Sequence, residues 1–105
     1  MSLLQPIRGR IPISPDKSPV QLAEATRRLC AELLAYNRLR PEDVVAARFV
    51  GGDSLPASPV PTARALGWSG IPLFFTRSPS ASGMLEVEAH VRLRRKRRLR
   101  TLELS

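Results

Sequence analysis

Residues 84–94 read Met84-Leu85-Glu86-Val87-Glu88-Ala89-His90-Val91-Arg92-Leu93-Arg94, and this stretch decides the fold. Leu85, Val87, Ala89, Val91 and Leu93 alternate with Glu86, Glu88, His90, Arg92 and Arg94. That period of two belongs to a strand with one face in a core and the other toward water. His90 therefore falls on the polar face. Glu86, Glu88 and His90 on one face invite a metal-site reading, but Arg92 and Arg94 sit beside them and same-face strand neighbours are too widely spaced for all three to ligate easily. Salt-bridging surface charges explain them better, and neither metal nor cofactor is expected.

Upstream of this strand, residues 4–13 read as a first strand bracketed by Pro6 and Pro12, which suit an edge or strand ends because proline donates no ladder hydrogen bond. Residues 14–19 form a turn that ends as a helix start, with Ser18 as N-cap and Pro19 in the first helical position. Leu22, Ala25, Leu29, Leu33 and Tyr36 recur at three- and four-residue steps, the stripe of an amphipathic helix ending near Asn37. Val44–Val50 is a buried second strand, 54–61 a proline-rich loop, 62–66 a short helical turn stopped by Gly67, and 71–76 a third strand. A polar, mobile loop is expected over 77–83, a charged turn over 95–98 and a last strand over 99–104. The sum is an α+β domain: a mixed β-sheet backed by one long helix.

A chain of 105 residues supports one domain, 1–105, and a domain this small often borrows stability from a partner subunit. No apolar run approaches the roughly 20 residues that span a bilayer, and the N-terminus carries no signal-peptide pattern. A soluble, cytoplasmic protein is expected, with no membrane partner. Cys30 is the single cysteine and its place on the helix makes it a core residue. The formal charge of +8 is concentrated in Arg92–Arg100, a run that suits small anionic ligands or a charged turn. It lacks interleaved aromatic residues, so nucleic acid is an unlikely partner.

Several short strings occur in one order: Ile7-Arg8-Gly9, Pro41-Glu42-Asp43-Val44-Val45, Pro59 with Arg64, Gly67-Trp68, Ile71-Pro72 and Gly83. In that order and spacing they resemble the trimeric chorismate mutases of the bacterial AroH class, over about residues 7–91. The resemblance implies a pseudo-α/β-barrel homotrimer with active sites at subunit interfaces. It also implies a reaction, the rearrangement of chorismate to prephenate, in which no covalent intermediate forms and cationic groups stabilise charge on the breaking ether oxygen. Arginine suits that role because its guanidinium grips carboxylates in a bidentate fork.

By the same resemblance, Arg8 takes the place of the family's first-strand arginine and Arg64 that of the arginine in the short helix. His90 stands where the family has its chief catalytic arginine and Ser78 where it has a glutamate. Phe75 replaces a cysteine and Ser58 a phenylalanine. A neutral imidazole in place of a guanidinium removes a charge and a fork of donors, so the expected activity is isomerisation or cyclisation of a small anionic metabolite, with His90, Arg8 and Arg64 catalytic. The substrate-binding set is Arg8, Arg64, Phe75, Arg77, Ser78, Ser58 and Arg92. Two alternatives stay open: a genuine chorismate mutase with a cation relocated to Arg77 or Arg92, and a non-catalytic binding or regulatory relative.

Overall fold

The computed structural model describes residues 3–14 and 16–105; Pro15, within the turn expected over 14–19, lies outside them. Among the described residues five strands form one sheet: β1 (Leu3–Pro12), β2 (Val44–Gly51), β3 (Leu73–Arg77), β4 (Met84–Leu93) and β5 (Leu102–Glu103). Their spatial order is β3-β2-β4-β1-β5, with β4 antiparallel to both its neighbours and the pairs β2/β3 and β1/β5 parallel. The strand read first from sequence is thus the centre of the sheet.

Behind the sheet runs α1 (Pro19–Tyr36), which packs against β1, and beside it α2 (Val60–Ala65), which packs against α1 and β3. Helix α1 starts where its sequence says it must. The Ser18 hydroxyl accepts from the backbone N–H of Gln21 at 3.2 Å, and the Gln21 side chain accepts from the Ser18 N–H at 2.8 Å, a reciprocal capping box with Pro19 following. At the other end the Asn37 amide donates to the carbonyl of Leu33.

The core is the layer between sheet and helices. Leu85, Val87, Ala89, Val91 and Leu93 of β4 are buried, as are Ile7 and Ile11 of β1 and Phe49 of β2. Gly9 of the Ile-Arg-Gly string lets α1 approach closely: a Cβ there would lie 3.1 Å from Leu29 Cδ1. Gly67, at φ +109°, ends α2 and turns the chain so that Trp68 enters the core against Phe49, ring centroids 6.3 Å apart. Cys30 is buried, and burial pushes its thiol up to about 12.

Several expectations need correction. The buried stripe of α1 is Leu22, Thr26, Leu29, Cys30, Leu33 and Leu34, broader than the five-residue stripe read from spacing, because sheet and α2 cover adjacent sides of the helix. Tyr36 is 49% exposed and falls outside it. Helix α2 begins at Val60, inside the expected proline loop; Pro59 is its N-cap and Pro61 sits in its first turn, where a missing N–H costs nothing. The polar loop is not loose. Ser78 N–H donates to the Gly51 carbonyl at 2.8 Å, Pro79–Ala81 forms a 3₁₀ turn, and Ala81 is buried.

The last strand shrinks to two residues paired with Gly9 and Arg10. Pro6 lies beyond that short cover, so β1 has an open edge where it has no N–H to offer. The tail before β5 is fixed by side chains instead. Gln5 bonds the carbonyl of Arg97, Asn37 bonds both backbone groups of Arg100, and the Arg97 guanidinium donates to the carbonyls of Asn37 and Arg38 at the end of α1. Part of the basic run is therefore a clamp on a helix C-terminus, where cations are favoured.

Candidate functional site

The face of the sheet turned away from the helices carries the charges. Register places Phe74, Arg48, Glu88 and Arg8 in one row across β3, β2, β4 and β1. Next to it run Thr76, Val50, Glu86, Arg10 and Glu103. On the other side, His90 stands between Ala46 and Pro6.

Glu88 is the hub of this face. Arg8 Nε–H donates to Glu88 Oε2 at 2.7 Å, while Arg48 Nη2 lies 3.8 Å from Oε1. The hydrogen bond from Arg8, helped by the positive charges of Arg8, Arg48 and His90, holds the Glu88 carboxyl below its ordinary range. Arg10 bridges Glu86 at 4.0 Å and Glu103 at 3.9 Å. The members of these rows on β2, β4, β1 and β5 line an open concavity of about 420 Å³, and His90 lies outside its lining. The sequence reading of Glu86 and Glu88 as salt-bridging residues holds, but their position around Arg8 makes them part of the candidate site.

His90 is exposed, with a non-ionic neighbour on each adjoining strand. Strand β2 shifts register between Val44 and Ala46, so a β-bulge sits directly across from His90. Bulges bend a strand and re-aim side chains, and they gather beside active sites. Arg92 lies further along the same face, opposite Leu4, and is exposed.

The remaining candidates form a second group around β3. Phe75 is half-buried on the helix side of the sheet, and the Arg77 guanidinium carbon lies 5.2 Å from its ring centroid. Arg77 Nη1 also donates to the carbonyls of Leu55 at 2.7 Å and Asp53 at 3.2 Å, so this arginine holds the proline loop in place. Ser78 Oγ lies 2.8 Å from Ser80 Oγ, and Ser58 Oγ accepts from the Val60 N–H at the start of α2. Arg64 reaches the Ile71 carbonyl at 3.4 Å and is otherwise exposed.

Within one chain the two groups do not meet. Strand β3 is two positions from β4 and three from β1, roughly 10 and 14 Å at about 4.8 Å per strand. Phe75 and Arg77 also have the opposite parity to Arg48, Glu88 and Arg8, so their side chains leave the other face of the sheet.

Residue-by-residue reading of the sequence omitted Arg48 and Arg10 from the site. Arg48 left one signal: it is the lone charge in the otherwise apolar run Val44–Val50. A charge there needs an outlet to solvent or a partner, and the outer face supplies both.

A mixed five-stranded sheet with one long helix behind it and arginines on its open face defines a small α+β protein with an anion-binding surface. The chain belongs to the family described as chorismate mutase type I, whose model matches residues 4–100. Among solved structures it is similar to a chorismate mutase from Clostridium thermocellum, with a TM-score of 0.84 over 95% of this chain and 94% of that one. At 24% identity that likeness establishes the fold. No curated protein sequence matches the chain significantly. Among the described residues no helix is long and apolar enough to cross a membrane.

Proposed function

We propose that this protein isomerises or cyclises a small anionic metabolite at pockets shared between copies of the chain, as a homotrimer. The observation that carries this reading is the placement of Arg8 and His90 on the same open face of the sheet, two residues apart in register and with Glu88 beside both. Arg8 presents a guanidinium to the substrate carboxylate. His90, across from the bulge, donates a hydrogen bond or a proton where charge develops during the rearrangement. The second group, Arg64, Phe75, Arg77, Ser78 and Ser58, reaches that face from a neighbouring copy and closes the pocket. No step needs a cofactor.

Replacing the family's arginine by His90 removes a charge-stabilising group of a kind worth roughly 10²–10³ in rate. Purified protein should therefore convert chorismate to prephenate poorly, and His90→Arg should raise that conversion at least tenfold. An efficient wild type, or rates unchanged by both His90→Arg and His90→Ala, would remove position 90 from the proposed role. One observation favours a second reading, a genuine chorismate mutase: Arg48 lies on the same face within 3.8 Å of Glu88 and is a relocated cation better placed than Arg77, which is engaged with backbone carbonyls. On that reading the wild type converts chorismate and Arg48→Ala abolishes the conversion.

A further inference from the structure

The concavity around Arg8 has an unexpected charge for an anion site. It is lined by three arginines, Arg8, Arg10 and Arg48, and by three glutamates, Glu86, Glu88 and Glu103. Within one copy its formal balance is zero, on a chain whose total is +8. Here carboxylates are built in among the arginines.

Glu88 is the one placed to read the ligand. Its side chain is 23% exposed, against 68% for Arg8 and 60% for Arg48, so it forms the floor between them. It engages Arg8 only through Nε. Among the described residues neither Nη of Arg8 has a hydrogen-bond partner, which leaves that edge of the guanidinium open to a ligand carboxylate. A group extending straight across the sheet from there toward Arg48 passes over the Glu88 carboxylate. A second carboxylate on that path meets a fixed negative charge, whereas a hydroxyl donates a hydrogen bond to it.

We infer that Glu88 is the specificity-determining residue of this site, selecting a monocarboxylate that carries a hydroxyl or similar donor over a dicarboxylate. The inference rests on the proposal that the face around Arg8 and His90 is the substrate site.

Two probes of one shape separate the alternatives: 3-hydroxybenzoate, with one carboxylate and one hydroxyl, and isophthalate, with a second carboxylate in the same position. Amide NMR titrations of the wild type, Glu88→Gln and Arg8→Ala would follow the residues of β1 and β4. The wild type should bind 3-hydroxybenzoate at least tenfold more tightly than isophthalate, and Glu88→Gln should reduce that ratio at least tenfold by admitting isophthalate. Equal or tighter binding of isophthalate by the wild type, or a ratio untouched by Glu88→Gln, would overturn the inference and leave the site where it is. Arg8→Ala should weaken both probes. Shifts insensitive to Arg8→Ala, or no shift of these amides by either probe in the wild type and Glu88→Gln alike, would overturn the placement of the site, and the inference with it. Glutamine keeps the volume of Glu88 on a solvent-facing surface, so retained amide dispersion separates a binding effect from a folding one.

Discussion

The two faces of β4 differ more than any two regions of this molecule. One face, Leu85 to Leu93, is packed against the helices and nearly free of solvent contact; the other, Glu86 to Arg92, is charged and uncovered. Both come from the same ten residues in strict alternation. The buried face is held by apolar area removed from water, which needs no particular partner atom. The open face is held by charges that must find one another, through Glu88 above all. Packing therefore fixes one face, and pairing of specific side chains fixes the other.

Substitutions should break the two faces very unequally. Leu85→Ala, at a fully buried position, should cost about 2–5 kcal/mol, read from urea unfolding. Gly67→Ala should cost about 1–3 kcal/mol, because alanine is strained at φ +109° and its Cβ would lie 3.2 Å from Pro41. On the open face Glu88→Gln should cost about 1 kcal/mol or less. The loss should also depend on pH. Glu88 has its folded-state value lowered from 4.5, so its ion pair stabilises fully above that value and the contribution fades as pH falls through the folded value. Wild type and Glu88→Gln should thus differ near neutrality and converge in acid; a difference that grows in acid would contradict the pairing. The smallest effect is a null one: Cys30, buried with its thiol raised to about 12, should resist thiol reagents in the native protein and react only on unfolding.

The same contrast explains what was legible in the sequence. Alternation in β4, the Ser18 cap with Pro19, and the turn at Gly67-Trp68 are local patterns, and each matches the structure closely. Strand partners are not local. That Arg48 comes to lie beside Glu88, and Glu88 beside Arg8, follows from a register spanning up to 80 residues of chain, which no local period encodes. The same holds for the tail, where Asn37 and Gln5 fix residues 97–100 by bonds 60 or more positions apart and leave only two residues to pair as a strand. Resemblance to a family supplied Arg8 and His90 as candidates. Glu88, absent from that borrowed set and read from sequence only as a salt-bridging surface charge, gained its place in the site from the geometry.

The open face also exposes Leu4 and Phe74, each 60% accessible, beside the charged rows. Apolar side chains flanking a concave charged surface suit a face covered by another subunit. The proposal that the β3 group of one copy closes the pocket of the next makes assembly a requirement of the site. Native mass spectrometry of the purified protein at micromolar concentration tests this most directly. A mass three times that of the 11.6 kDa chain is the result the account predicts. A single-chain mass would contradict it, because Arg8 and His90 would then stay separated from Arg64, Phe75 and Arg77.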